Sequence, residues 1–501
     1  MGRLATPRFA VPGAVLLALV LVIVIAWVTQ PGTTQAAVRG SQSAAVTSIT
    51  RSCPPAAPGS TAPQISMIAL PGAASSAATT SSAATFSPVL AAPAATKAPA
   101  SGKAPAKAPA KALAVRPVTV TAPGKVAVVT APGGGGAAVA VTGRMAAGFE
   151  AEQTDSSGTG LVSCTHPGSD MWFVGTGEAA GASQIVLYLM NTGNVTASAD
   201  LTIVTDTGQQ NGLNSAITVA PNQFVSENVT QYVLGSQAVA LHVQTNTGQV
   251  AASVWEGGSG GGAWLPQAAA PGTSLVIPGL TVASSAARLF VMVPGSTDAE
   301  VQVTAYTPAG AANQFPGAPV DASAGAATPV TLSSLGASAA GLKLTSNQPI
   351  VAGVLVPGSG IGAFTTAVPP ITEQGVVAGN PATRGDTVGL LLTAPGKTAR
   401  ASISVIGADG SVSTPAADQS VTVAAAHTLA VAVTRPAQGG RQPFAIVITP
   451  QPGSGPLYAV RVVTSGSAGL SAPLSSLLPV TSAKTSITFP LAQNSYTAVL
   501  P

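Results

Sequence analysis

Three histidines, two cysteines, sixteen carboxylates and four tryptophans are the residues of this 501-residue chain that could do chemistry. His166 sits in a Thr165-His-Pro-Gly168 turn, while His242 and His427 fall in strand patterns far apart in the sequence. A catalytic triad needs a histidine beside an activated nucleophile, and no strand–turn–helix nucleophile elbow accompanies any of the three. The carboxylates are scattered. After residue 160 only Asp298 and Glu300 stand close together, a spacing that by itself names no glycosidase pair. The turn acids Asp206 and Asp409 lack the dense Asp/Asn spacing of a calcium loop. Gly133-Gly-Gly-Gly136 and Gly258-Ser-Gly-Gly-Gly262 neither open a helix nor carry a Lys-Ser/Thr, so they read as loops rather than phosphate cradles. No catalytic residue, metal site or cofactor is expected, and the chain reads as a non-enzyme.

Two sets of residues remain. Trp172, Trp255 and Trp264 fall in or beside one stretch of about a hundred residues. They are either core and packing residues or an exposed sugar-stacking or protein-binding patch near the glycine-rich loop. Cys53 and Cys164 are the only cysteines and lie in no CxxC pattern. In an oxidising compartment an isolated pair reads as a disulfide, with two free buried thiols as the alternative.

The elements that must position these residues are strands. Leu187-Tyr-Leu-Met-Asn-Thr-Gly193 recurs as Leu289-Phe-Val-Met-Val-Pro-Gly295 and as Leu390-Leu-Leu-Thr-Ala-Pro-Gly396. The period is about 101 residues, close to one β-sandwich. A second alternating strand follows each copy and ends at Gly208, Gly310 or Gly410. Each repeat closes with two more strands, as in Leu241–Val254 and Leu342–Val354, with Thr-Gly or Gln-Pro marking a turn between them. No amphipathic helix is expected after residue 30. A β-propeller is the competing architecture, although blade periods of about 40–50 residues fit less well.

Charged residues make up only 7% of the chain, so its wet faces must be built from Ser, Thr, Asn and Gln. The net charge of +4 hides an asymmetry: no Asp or Glu precedes Glu150, while the low-complexity run carries Lys97, Lys103, Lys107 and Lys111. That run has no aromatic residue to stack on a base, so nucleic acid is not an expected partner. Its repeated prolines predict an extended, mobile segment. Phe9–Val28 is a stretch of uncharged, mostly apolar residues preceded by Arg3 and Arg8. It is long enough to span a bilayer with the N-terminus inside. The expected location is therefore the cell membrane, single-pass, with the body outside; secretion after cleavage is the alternative.

The order of features resembles an uncharacterised actinobacterial family, domain of unknown function 5719. The residues that carry the resemblance are Arg51-Ser-Cys-Pro54, Cys164-Thr-His-Pro-Gly-Ser-Asp-Met-Trp-Phe173, Trp264-Leu-Pro266 and Leu275-Val-Ile-Pro-Gly279. The resemblance brings no activity with it.

The expected architecture is all-β, with three tandem immunoglobulin-like β-sandwich repeats after a transmembrane helix and a disordered Pro/Ala-rich segment. Residues 1–30 form the anchor, 31–72 a tether with the Cys53 strand, and 73–113 the Ala/Pro/Lys loop. Residues 114–171 form a β cap or added strands. The repeats span 172–270, 271–372 and 373–485, ahead of a tail at 486–501. The expected role is a non-catalytic envelope scaffold or binding protein whose partners are the membrane and cell-wall glycan or a membrane protein. The alternative is an accessory subunit of a membrane glycosyltransferase or wall enzyme, or an envelope hydrolase.

Overall fold

The computed structural model describes residues 41–71, 84–92, 123–131, 135–155, 160–210, 216–281, 287–312, 319–332, 339–358, 360–381, 385–436, 442–466 and 468–490. The expected anchor and most of the Ala/Pro/Lys stretch lie outside them. Among the described residues the structure is all-β, with only three-residue 3-10 turns besides strands, and no helix is long and apolar enough to cross a membrane. The chain divides into two units. One holds residues 1–44 and 487–501, whose described part belongs to the paired strands Ser41–Ala45 and Ser486–Pro490. The other, Ala45–Ser486, holds everything that follows.

One strand-pairing pattern recurs through this larger unit, and its clearest copy is the last. There, Gln374–Asn380 pairs with Phe444–Pro450, which pairs with Ala399–Ile406. The facing sheet runs His427–Ala432, Asp386–Ala394, Tyr458–Ser465, Leu474–Val480. The copy before it uses Gly272–Thr281, the first half of Ala339–Val356 and Ala299–Thr307 in one sheet. Its other sheet holds Ala327–Leu332, Ala287–Met292, the second half of Ala339–Val356 and Ala363–Thr366. The next copy back pairs Asp170–Thr176, Ala238–Thr247 and Ala197–Thr205, opposite Gln223–Asn228, Gln184–Asn191, Ala251–Gly258 and Gly261–Leu265.

The same order appears once more, which corrects the expected count of three. Ser48–Cys53, Gly136–Thr142 and Ala84–Ala91 face Ala127–Thr130, Gln64–Ala69, Phe149–Thr154 and Leu161–Ser163. The segments read as a tether strand and a β cap are thus a complete first module. Ala84–Ala91, read as part of an extended loop, is one of its strands, pairing antiparallel with Gly136–Thr142. The expected closing turns also need correction. Ala238–Thr247 and Ala251–Gly258 enter opposite sheets, and Ala339–Val356 runs through both as one 18-residue strand.

The modules are not beads on a string. In the strand Gln184–Asn191, Ile185, Leu187 and Leu189 enter the core of their own module. Val186, Tyr188 and Met190 point the other way, into contacts with the first module. In the next copy Leu289 and Val291 face inward, while Phe290 and Met292 join the core of the preceding module. Leu390 and Leu392 stay in the last module, while Leu391 enters the core of the third. Ile65 and Met67 fill the first module, and Ile68 and Leu70 pack on Val376, Ala378, Ala445 and Val447 of the last. Because successive side chains of a strand point to opposite faces, each repeated phrase must be apolar throughout. The last module therefore packs against the first, and the four close into a ring.

Close approach at these interfaces is built in. A Cβ at Gly279 would lie 2.7 Å from that of Leu391. Between the first and second modules, Gln223 and Phe224 pair in parallel with Leu90 and Ala91, joining two sheets into one of seven strands.

Leu391→Ala tests closure. In a separate sandwich this face would be solvated and truncation nearly neutral. In the ring, Leu391 is buried between modules, and its truncation is expected to cost about 2–5 kcal/mol, read by denaturant unfolding.

Candidate functional site

The last strand of each module's second sheet faces the ring axis: Leu161–Ser163, Gly261–Leu265, Ala363–Thr366 and Leu474–Val480. At one end of the axis lie the segments that leave these strands, including Cys164-Thr-His166, Pro266-Gln-Ala-Ala269, Val368-Pro-Pro370 and Thr481–Lys484. Together they surround a cavity of about 560 Å³. At the other end the hairpins that enter these strands surround a cavity of about 370 Å³, lined by Gly260–Gly262, Gly360, Gly362, Asp155 and Ser475. Gly260 and Gly261 hold φ of 93° and 138°, the region that favours glycine, and line the mouth of this cavity. Leu161, Trp264 and Leu477 line both cavities and form the layer between them.

The larger cavity contains charged groups that sequence reasoning passed over. Arg51 Nη2 donates to the Glu150 carboxylate and, at 3.3 Å, to the Phe149 carbonyl. Burial pushes Glu150 up to about 7, against the Arg51 charge that holds it down and with the nearby Glu152 charge adding to the rise. Both Glu152 oxygens accept backbone N–H groups of the last module, Ala378 at 3.1 Å and Gly379 at 2.9 Å. Burial still raises its pKa, opposed first by the charge of Arg461. Arg461 is fully buried, with Nη2 donating to Ser476 Oγ at 3.3 Å, and burial lowers its pKa to about 10.

Arg461 and Glu256 lie outside the cavity lining; Glu256 accepts from the Thr176 N–H at 3.1 Å and the Thr176 hydroxyl at 2.6 Å. Burial pushes it up to about 8, with those two hydrogen bonds acting against the rise. The available signal was a charge inside an apolar strand, as in Phe149-Glu-Ala-Glu152, Val254-Trp-Glu256 and Val460-Arg-Val462. Attention to carboxylates after residue 160 missed the first of these.

The three histidines do not converge. His166 stands at the mouth of the larger cavity, where burial lowers its pKa. His242 Nε2 lies 2.9 Å from Asp170 Oδ1, and its ring stacks on Trp172 with centroids 3.7 Å apart. His427 Nδ1 donates to the Ala425 carbonyl at 2.7 Å in the last module.

The tryptophan patch is corrected. Trp172, Trp255 and Trp264 are 6%, 9% and 6% exposed, so none offers a flat face to solvent. Trp255 and Trp264 are cross-strand partners, and the Trp255 ring covers Gly257 and Gly262, where a Cβ would sit 2.2 and 2.1 Å from it. Trp264 also packs on Tyr188, with centroids 5.8 Å apart. All three rings are core; Trp255 and Trp264 also line the axial cavities, while Trp172 lines neither. Cys53 and Cys164 are bonded, with Cα atoms 4.2 Å apart. The bridge ties the first strand of the first module to the segment leaving its last strand, and Cys164 is part of the cavity wall.

Residues 144–434 match the Family of unknown function (DUF5719). The chain belongs to this family. The match covers the second and third modules and only parts of the first and last. No match to a curated protein was found. Among solved structures the chain is similar to one titled "Crystal Structure of Streptomyces avermitilis alpha-L-rhamnosidase complexed with L-rhamnose". That likeness has 10% identity and a TM-score of 0.11, over 63% of this chain and 49% of that one. The chain thus spans about half the length of that protein, and so low a score carries no argument about fold or activity.

The buried Glu256 carboxyl makes stability depend on pH. An acid whose pKa is about 8 when folded, against an ordinary 4.5, binds its proton more tightly in the native state. Its stabilising contribution is complete below about pH 4.5 and is lost as pH rises through about 8. Glu256→Gln, which keeps an acceptor for Thr176, should raise Tm at pH 8.5 and leave it nearly unchanged at pH 4, as read by thermal unfolding.

Proposed function

We propose that this member of the DUF5719 family is a non-catalytic scaffold or binding protein of the cell envelope, held outside the membrane by the apolar N-terminal segment. Its modules, each built on seven principal strand segments in two facing sheets, are the basis for reading them as immunoglobulin-like. One observation carries the non-catalytic reading. The two acids that line the larger axial cavity are already engaged within the protein, Glu150 by Arg51 and Glu152 by two backbone amides. A general base must be free to take a proton, and a glycosidase pair must have both carboxyls open to the scissile bond. A closed ring with buried interfaces also suits a rigid platform better than a domain that closes on a substrate.

The full-length chain, incubated with purified cell-wall glycan, should retain glycan or a membrane protein from a solubilised extract without releasing soluble products. Product release that is abolished by Glu150→Gln would overturn the reading in favour of a hydrolase.

A further inference from the structure

The larger axial cavity has an uneven supply of hydrogen-bonding groups. Its acids are satisfied within the protein, as described above, but two of its buried donors are not. Arg51 Nε is buried with no partner, because the Glu150 and Phe149 contacts use only Nη2. Ser253, 2% exposed, lines the same cavity with a buried hydroxyl that has no partner. Lys484 stands exposed at the mouth and adds a cation. A buried donor without an acceptor is destabilising, and an acceptor-bearing guest would recover part of that cost. Much of the remaining wall is apolar, including Phe173, Leu265, Pro266, Leu478 and Pro479. At about 560 Å³ the cavity is in the size range of small-molecule sites.

We propose that this cavity binds an amphiphilic anion, a carboxylate or phosphate head on a short apolar body. The head takes the donors of Arg51, Ser253 and Lys484, and the body lies against the prolines and leucines of the linkers that leave the axial strands. The site uses the Cys164-Thr-His and Trp264-Leu-Pro266 phrases that carried the family resemblance, now together in the wall of one cavity. The inference deepens the reading of the chain as a binding protein and rests on it.

The test is titration calorimetry on the full-length chain with 3-phenylpropionate and phenyl phosphate, which differ in the head. Inorganic phosphate supplies the head alone, and 3-phenylpropan-1-ol supplies the body without charge. One equivalent of at least one anion should bind at least about tenfold more tightly than either control, as expected for one charge-assisted hydrogen bond. Lys484→Ala, an exposed change, should weaken binding about tenfold. Thr481→Trp, also exposed and on the rim, should abolish it. Thermal unfolding of both variants checks that the fold is intact. The inference is overturned if neither anion binds saturably, if the alcohol binds as well as the acid, or if Thr481→Trp leaves binding unchanged. Retention of wall glycan by a chain that binds neither anion would keep the scaffold reading and discard this one.

Discussion

In each module the strand that carries the repeated apolar phrase must bury both of its faces, and the rest of the structure depends on that constraint. One face of Asp386–Ala394 fills its own sandwich through Leu390 and Leu392, while Leu391 fills a gap in the module before it. An isolated module would leave the second face in water, an exposed apolar surface of the kind that drives association. Stacking in a line would still leave one such face bare at each end. Closing the ring removes both. Ile68 and Leu70 of the first module meet Val376, Ala378, Ala445 and Val447 of the last. The scarcity of charge in the chain fits this arrangement, because most strands have little wet surface to furnish.

Closure also has a polar element. Glu152 belongs to the first module, and its carboxylate is held by the amides of Ala378 and Gly379 in the last, more than two hundred residues away. Burying a carboxylate costs several kcal/mol unless hydrogen bonds and an opposite charge compensate, here two amides and the nearby Arg461. Such a contact specifies position more than it adds stability, since a shifted register would leave a buried charge without partners. The Cys53–Cys164 bridge acts within the first module, the one interrupted by the long Pro/Ala insertion. A crosslink across about 110 residues limits the freedom that this insertion gives the unfolded chain.

Ring closure creates the axial cavities. The four innermost strands converge, so the segments that leave them gather at one end and their entering hairpins at the other. Loops on a rigid frame are where binding residues collect. Residues from distant parts of the sequence, such as Arg51, Ser253 and Lys484, thereby share one chamber.

Much of the module was legible in the sequence. The glycine spacing marked three copies, the alternating strands gave the all-β class, and the isolated cysteines paired as read. The first copy was legible too, since Ile68-Ala-Leu-Pro-Gly72 is the counterpart of Val291-Met-Val-Pro-Gly295. The inserted Pro/Ala run lengthened its spacing and hid it. What the sequence could not supply was which surfaces meet. Periodicity tells a strand's two faces apart but says nothing about what covers the second. An unbroken apolar run such as Leu187-Tyr-Leu-Met190 fits a core residue set or an exposed patch equally well. For the same reason Trp172, Trp255 and Trp264 could not be placed inside or outside, and Glu150 and Glu152 could not be joined to Arg51 and the Ala378–Gly379 amides. Local propensity and turn chemistry act over a few residues and determined the modules. Closure brings together groups hundreds of residues apart, so only the tertiary structure decided the ring, the buried charges and the cavity on its axis.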